Sequence, residues 1–170
     1  GKNSPVVPGS VTISNSGNFT IPMFNNITIT AYSGKGGQAG FNGNCANGGY
    51  GGAGGLTSLA DYLTTTQGAG GAPSGGLGSQ VSSSVSFAIT DENQNDIIAR
   101  YGQVKAATIG AAGAGGATGY NQRVITVCDK YVWVSGVGYV CAAAHQEYYC
   151  DLAVGDGGAG TKGYITVAWT

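Results

Sequence analysis

Charge of either sign is scarce in this chain, which has 7 Lys or Arg and 8 Asp or Glu among 170 residues. Charged residues make up 9% of the sequence, against roughly 25% in an ordinary domain. A chain of net charge −1 without a basic run lacks the electrostatic attraction that binding to nucleic acid or anionic lipid requires. No apolar run approaches the ~20 residues of a membrane helix. We therefore expect neither a nucleic-acid partner nor membrane insertion.

Proline is also rare, at 4 residues, which excludes a collagen-like chain in spite of the high glycine content. The first residues, Gly1-Lys2-Asn3-Ser4, include no initiator Met. They are not followed by the apolar run of a signal peptide either. We expect the chain to be a processed or excised part of a longer protein.

The 4 cysteines, Cys45, Cys128, Cys141 and Cys150, form no C-x-x-C pair, so the usual zinc and dithiol motifs are absent. Four cysteines permit three pairings, and the sequence does not choose among them. Cys128 and Cys141 flank a predicted hairpin at similar distances from its turn, so we favour this pair if a bridge forms. The interpretation we prefer is that all four are free and buried as small hydrophobic residues.

Short segments rich in β-branched and aromatic residues separate the glycine-rich ones, and they predict β-strands. The best helical candidate is the short stretch 56–63. Tyr131 and Trp133 follow the strand pattern and are predicted to lie in the core. The sequence thus predicts an all-β fold with little or no α-helix, with strands at 18–24, 26–32, 81–90, 97–101, 104–109, 124–127, 131–134, 137–140 and 164–169.

Glycine accounts for 33 residues, and 27 of them fall in the four segments 34–55, 68–78, 110–119 and 155–163. Flexible linkers are also glycine-rich, but they have no reason to keep a period. Here glycine recurs at every third residue, which fits a polyproline-II-type helix with three residues per turn. Such a helix has no internal hydrogen bonds, so its backbone groups need partners on neighbouring segments. We predict β-strands flanking a packed bundle of polyglycine-II helices with the glycine register Gly34, Gly37, Gly40, Gly43, Gly49, Gly52, Gly55, Gly110, Gly113, Gly116, Gly119, Gly157, Gly160 and Gly163.

Three segments carry a family resemblance. The first begins Asn18-Phe19-Thr20-Ile21-Pro22 and reaches glycine at 34–37, the second spans 102–116, and the third spans 157–169. They are similar to the "FTVP … LTVTVWGGGG" opening, the middle strand with its second glycine block, and the "GGxG … GYVxVxW" close of glycine-rich domains at the tips of bacteriophage tail fibres. The likeness extends over roughly 18–170, although this chain has fewer and shorter glycine blocks than such adhesins.

The resemblance implies a receptor-binding tip domain at residues 18–170, with residues 1–17 as an N-terminal connector to the rest of a longer fibre. It implies an extracellular location, at the distal tip of a virion tail fibre or of a phage-like surface fibre. The implied partners are a bacterial surface receptor, either a glycan or an outer-membrane protein, and the remainder of the fibre. Such fibres are usually homotrimers, although a tip can be present as a single copy.

No residue pattern predicts catalysis. The one histidine, His145, has no spacing that singles out Asp129 or Asp151 as a partner, and no serine lies in a G-x-S-x-G motif. The polar turn at 91–96 lacks the glycine and the final Glu of an EF-hand. No glycine block ends in the Gly-Lys-Ser/Thr of a phosphate-binding loop. We expect no enzymatic activity, no cofactor and no bound metal.

The predicted binding residues lie in three loops, because loops on a rigid scaffold commonly carry recognition. The stretch 142–152 interrupts the strand pattern and offers aromatic rings with polar groups, which recognition surfaces favour. For its two tyrosines, inward packing is an equally good interpretation. The other two loops are 41–50 and 56–67. The predicted receptor-binding residues are His145, Gln146, Glu147, Tyr148, Tyr149, Asn44, Asn47, Tyr50, Asp61 and Tyr62.

Two functions remain open at this point. In the first, the loops bind a bacterial receptor, and several fibres per particle multiply weak single contacts. In the second, the chain is a purely structural tip that caps or trimerises an adhesive fibre, and binding lies elsewhere. Loop mutations weaken attachment under the first function and leave it unchanged under the second.

Overall fold

The computed structural model describes residues 6–88 and 102–170. These residues form β-strands and contain no helix, which confirms the all-β prediction. The turn predicted at 91–96 and the strand predicted at 97–101 lie outside the described residues. The strands are β1 (Gly9–Ile13), β2 (Gly17–Thr20), β3 (Asn26–Tyr32), β4 (Ser58–Leu59), β5 (Leu63–Thr64), β6 (Ser82–Ala88), β7 (Val104–Thr108), β8 (Gly119–Val134), β9 (Gly138–Gly155) and β10 (Tyr164–Trp169).

The helical candidate at 56–63 is wrong. This stretch contains β4 and the start of β5, which pair through Ser58 with Thr64 and Leu59 with Leu63. Leu59 and Leu63 are both buried, whereas a surface helix would need a wider apolar stripe with a 3.6-residue period. The short hairpin of β4 and β5 buries these two leucines and needs fewer apolar residues than an amphipathic helix would.

Two antiparallel sheets of four strands each enclose the hydrophobic core. Their strand orders are β1-β10-β3-β6 and β2-β7-β4-β5. Every second residue of β3 is buried (Ile27, Ile29 and Ala31), as expected for a strand with one face on the core. Ile165 and Val167 of β10 alternate in the same way. The cluster also contains buried residues before β3 and from the second sheet, namely Ile21, Phe24, Leu59, Leu63 and Ala107.

Strand β1 lies within the range predicted as a connector, and it is built into the first sheet. Gly9 pairs with Trp169 and Ile13 pairs with Ile165. The indole N–H of Trp169 donates to the carbonyl of Val7 at 2.9 Å. The beginning and the end of the described chain therefore lie side by side.

The glycine-rich segments lie outside the strands and are joined by backbone hydrogen bonds with a three-residue repeat. We call the segments 34–55, 68–79, 110–118 and 156–163 the glycine slab. Three successive residues donate in three different directions: Gly34 N–H to Gly55 at the other end of its own segment, Lys35 N–H to Thr161 and Gly36 N–H to Ser79, at 2.7–3.0 Å. The pattern repeats three residues later for Gly37 with Gly52, Gln38 with Gly158 and Ala39 with Gly76, at 2.8–2.9 Å.

The centre of the slab is backbone packed against backbone. Residues 33–40 are buried except Lys35 and Gln38, which are half-buried. A Cβ atom at Gly37 would overlap the carbonyl of Ala114, and Gly34 and Gly40 meet other carbonyls in the same way. Only glycine permits this approach, so at these three positions the interior of the slab holds backbone where a side chain would otherwise lie.

The slab separates the two sheets from the hairpin of β8 and β9. Strand β3 ends at Tyr32, directly before residues 34–41, which we call the central segment of the slab. At the other end of that segment, Phe41 N–H donates to the carbonyl of Gly155 and Gly119 N–H donates to the carbonyl of Phe41. The hairpin therefore starts where the slab ends, on the side away from the sheets.

Candidate functional site

Strands β8 and β9 form a long antiparallel hairpin, residues 119–155, which we call the arm. No third strand joins it within the described part of the chain. At about 3.3 Å per residue, a strand of this length extends on the order of 50 Å. The strands predicted at 124–127 and 131–134 both lie in β8, and the strand predicted at 137–140 lies at the start of β9, but the break expected at 128–130 is wrong. One pairing ladder runs from Gly119–Gly155 to Val134–Gly138, with bulges.

The predicted loop at 142–152 is also wrong, because these residues belong to β9. His145 pairs with Val127, Glu147 with Ile125 and Tyr148 with Val124. Alanine and acidic residues are uncommon in strands, which is why the stretch looked like an interruption. Strand preference depends on cross-strand partners, and the β-branched residues of β8 supply them.

One face of the arm carries a continuous chain of polar contacts, which we call the polar face. Arg123 donates two hydrogen bonds to Asp151, at 2.8 and 2.6 Å. The Arg123 guanidinium also lies over the ring of Tyr149, 5.1 Å from its centroid. The Tyr149 hydroxyl donates to Glu147. These contacts hold the two strands in one relative position.

His145 also lies on the polar face, where it contacts one carboxylate of each strand. Its Nδ1 lies 2.6 Å from Asp129 Oδ1, and its Nε2 lies 3.0 Å from Glu147 Oε1. The hydrogen bond to Asp129, and then that to Glu147, raises the pKa of His145 above its usual value. The pKa of Glu147 is lowered, first by the Tyr149 hydroxyl and then by His145. The face thus favours a protonated imidazole between two carboxylates.

The other predicted residues of β9 lie on the opposite face of the arm. Tyr148 donates its hydroxyl to Gln146 Oε1 at 2.9 Å. Tyr148 and Tyr149 are both exposed. The hairpin has no second layer in the described residues, so neither ring is packed into a core.

Tyr131 and Trp133, predicted as core residues, lie near the end of the arm and are exposed. Their relative exposures are 63% and 66%, and that of Tyr139 is 74%. Trp133 pairs with Tyr139 across the strands. The strand pattern was read correctly, but burial also needs a layer to pack against, and a lone hairpin provides none.

All four cysteines are paired, so the expectation that they are free is wrong. Cys128 is bonded to Cys141, the pair that the hairpin spacing favoured. Cys45 is bonded to Cys150, 105 residues away in the sequence. The first bridge crosses the arm below its end, and the second ties its base to the loop at 41–50. An isolated hairpin is marginally stable in water, and these bridges stabilise it.

The predicted loop at 41–50 is attached to the base of the arm, whereas the predicted loop at 56–67 is not. Asn44 anchors the base, since its N–H donates to Asn121 Oδ1 at 2.8 Å and its Oδ1 accepts from Gln122 N–H at 2.7 Å. Asn47 and Tyr50 lie in the same loop and are exposed. The loop at 41–50 and the arm therefore form one surface.

Asp61 and Tyr62 lie elsewhere, in the turn between β4 and β5 at the sheet end. Tyr62 packs near Phe87, with 6.4 Å between ring centroids, and Lys105 lies 5.0 Å from its ring. Burial, and then the charge of Asp61, raises the pKa of Tyr62. Lys105 and Asp61 form an ion pair at 3.5 Å. The structure does not bring these two residues together with the arm.

Exposed hydrophobic side chains are concentrated on the arm. Among residues 6–88 and 102–170, seventeen large hydrophobic side chains are exposed, and ten belong to the arm: Val124, Tyr131, Trp133, Val134, Val137, Tyr139, Tyr148, Tyr149, Leu152 and Val154. Exposed apolar surface on this scale commonly marks an interaction site. Within the same residues, no group of three or more His, Cys, Asp or Glu is placed to hold a metal ion.

Comparison of the chain with protein-family models, with curated proteins and with solved structures gave no match. None of the described segments is a helix with the length and apolar character needed to cross a bilayer.

Proposed function

We propose that this chain is the receptor-binding tip of a phage or phage-like tail fibre, and that it attaches to a bacterial surface glycan or outer-membrane protein through the arm. The observation that carries the proposal is the projecting arm with its concentration of exposed aromatic and aliphatic side chains. Such residues are costly to leave in water unless a partner covers them. The resemblance of three sequence segments to fibre-tip domains supports the same role and an extracellular location.

The proposal includes the architecture that presents the arm: the glycine-rich segments form a bundle of polyglycine-II helices. The three-residue hydrogen-bond repeat supports this, because a helix with three residues per turn points successive N–H groups at three neighbours. At ~3.1 Å per residue, the central segment would hold the arm roughly 25 Å from the sheets. A rigid spacer of this kind suits a tip that must reach a cell surface.

The remainder of a fibre is the second proposed partner. Both chain ends of the described residues lie at the sheet end, away from the arm. A fibre joined there would leave the arm free to contact a receptor. A homotrimeric fibre would present several arms and raise avidity without new contacts.

A shortened arm tests the proposal. Residues 124–148 are replaced by Asn-Gly, which favours a two-residue hairpin turn between the paired residues Arg123 and Tyr149. The bridge from Cys45 to Cys150 stays, and Cys128 and Cys141 are removed together. The labelled chain is incubated with a panel of Gram-negative cells that are untreated, protease-treated or periodate-oxidised.

We expect strain-selective binding by the native chain and its loss in the shortened variant, with unchanged slab folding by circular dichroism. Loss after protease treatment would indicate a protein receptor, and loss after periodate would indicate a glycan. If the shortened variant binds as well as the native chain, or if the folded native chain binds no cell, the purely structural tip becomes the better interpretation.

A further inference from the structure

The end of the arm carries an aromatic platform outside the residues that the sequence predicted for binding. We propose that Tyr131, Trp133 and Tyr139 form a stacking site for a neutral sugar ring of the cell-surface receptor. This inference rests on the proposed function, and it names the class of ligand that the arm contacts first.

The three rings share one face of the hairpin. Tyr131 and Trp133 are two residues apart on β8, and Tyr139 is directly opposite Trp133 on β9, so all three side chains point the same way. Trp133 and Tyr139 meet edge to face, with centroids 5.3 Å apart and planes at 72°. Positions two apart on a strand are separated by about 7 Å. The platform therefore matches the size of one or two pyranose rings.

The platform is held in place without being covered. The bridge from Cys128 to Cys141 fixes the strands beside it, since Cys141 pairs with Tyr131. Each of the three aromatic side chains is more than 60% exposed. Within the described residues, the indole N–H of Trp133 and the hydroxyls of Tyr131 and Tyr139 have no hydrogen-bond partner. Rings fixed in this way offer contact area at low entropic cost.

The charge pattern selects a neutral ligand. No residue from Tyr131 to Ala144 carries a charge, so the three rings themselves offer a charged ligand no counter-ion, and the nearest charged residues in the sequence are Lys130 and His145. The face of an aromatic ring is the negative part of its quadrupole. The C–H groups on one face of a pyranose are weakly positive and apolar, and its hydroxyls can pair with the free indole and phenol groups. A sugar can therefore stack its C–H groups on the ring faces and form hydrogen bonds with the indole N–H and the phenol hydroxyls.

Two other occupants fit the platform less well. The end of a two-stranded hairpin is narrow, whereas a stable protein interface buries about 800 Å² per partner. A bilayer core would leave the outer N–H and C=O groups of β8 and β9 without partners, which is costly in hydrocarbon. A sugar stays in water and leaves both strand edges hydrated.

Saturation-transfer NMR with the full chain tests the inference. The probes are the methyl glycosides of glucose, galactose and mannose, N-acetylglucosamine, and glucuronate as an anionic counterpart of glucose. The variants are Trp133→Ala, Trp133→Phe and Tyr139→Ala, with Leu77→Ala as the control, because Leu77 is 74% exposed but lies in the glycine slab, outside the platform and the predicted binding loops. To test for membrane binding, the wavelength of tryptophan emission is measured with and without phosphatidylethanolamine–phosphatidylglycerol vesicles.

We expect at least one neutral sugar to bind through the C–H groups of one ring face, more strongly than glucuronate. Trp133→Ala and Tyr139→Ala should weaken binding about tenfold, which corresponds to about 1.4 kcal/mol, while Trp133→Phe and Leu77→Ala retain most of it. Equal binding by Trp133→Ala overturns the inference, as does a blue-shifted emission with vesicles. If cells bind through the arm but no sugar binds, this inference fails and the proposed function stands, whereas failure of both assays removes both.

Discussion

The glycine slab and the arm are both built from extended backbone, and they are stabilised in opposite ways. In the slab, each residue from 34 to 41 donates its N–H to a carbonyl of another stretch of extended backbone, and residues such as Gly37 and Gly40 are buried. In the arm, each strand has one partner, and two disulfides replace the missing layers. Dense backbone packing leaves no room for side chains, whereas a single hairpin leaves nearly all of them accessible. A chain with few charges and a small core can thus still present a chemically varied surface.

The largest effect is expected inside the slab. Gly37→Val places side-chain atoms on the Ala114 carbonyl and should separate the central segments. Overpacking costs typically 1–3 kcal/mol where the structure can adjust; here the obstacle is backbone, so we expect loss of the cooperative thermal transition. Gly158→Ala is the matched control, because only the end of the Gln38 side chain lies within 4 Å of a Cβ there. A melting curve of Gly37→Val that superimposes on that of the control would contradict this account.

Removal of the disulfides should give the next largest loss of stability, and the loss should be confined to the arm. Replacing Cys45 and Cys150 by Ser opens a loop of 105 residues, for which chain entropy suggests about 4–5 kcal/mol. Replacing Cys128 and Cys141 opens a loop of 13 residues and should cost about 3 kcal/mol or less. Denaturant unfolding gives the totals, and hydrogen exchange gives the location.

We expect faster hydrogen exchange at the base of the arm when Cys45 and Cys150 are replaced, and near Tyr131 when Cys128 and Cys141 are replaced. The centre of the slab should stay protected in both double variants. Equal exchange rates throughout the arm in the native chain and in both double variants would show that the disulfides do not stabilise the arm.

The junction of the two regions should give an intermediate effect. Asn44→Ala removes the hydrogen bond that Gln122 N–H donates to Asn44 Oδ1, at a cost of about 0.5–1.5 kcal/mol, whereas the backbone N–H of residue 44 keeps its bond to Asn121 Oδ1. Asn47→Ala, in the same loop and exposed, should be neutral. Urea midpoints measured side by side check the difference, and indistinguishable midpoints would show that Asn44 does not anchor the arm.

The smallest effect belongs to the polar face of the arm. Because Asp129 and Glu147 raise the pKa of His145, this contact contributes stability that is present below pH ~6.5 and is lost as pH rises through the raised pKa. His145 is the one histidine of the chain, so its ring protons report the titration without overlap. We expect a pKa above the usual value, and Asp129→Asn should lower it.

Asp61→Asn is the control for this titration, since Asp61 lies at the sheet end and should leave the pKa of His145 unchanged. A native pKa at or below the ordinary value of a solvated histidine would show that the imidazole is not held between the two carboxylates in solution.

The sequence predicted the sheets better than the arm, and the reason lies in packing. Ile27, Ile29 and Ala31 alternate with polar residues because one face of β3 meets a second layer, and that periodicity is visible in the sequence. The three-residue spacing of the glycines also coincides with the spacing of the backbone hydrogen bonds. Both patterns record a contact that recurs along the chain.

The arm leaves no such pattern. Tyr131 and Trp133 look like core residues because β-strands favour aromatic residues whether or not a layer covers them. The stretch from Ala142 to Glu147 depends on partners in β8 for its strand structure. The bridge between Cys45 and Cys150 joins residues 105 positions apart, and four cysteines alone do not specify their pairing. The sequence therefore selected Tyr148 and Tyr149, which are exposed on the arm, but not Trp133, whose strand pattern predicted burial although it is also exposed.

The pairing of β1 with β10 determines how the molecule would carry a mechanical load. Gly9 lies beside Trp169 at the far side of the sheet, and Ile13 lies beside Ile165 next to the slab. A pull on the start of the chain, with the arm held, runs along β1. Inter-strand hydrogen bonds are perpendicular to the strands, so this force shears all five residue pairs together instead of opening them one at a time. Rupture under tension would then require the whole ladder to fail at once.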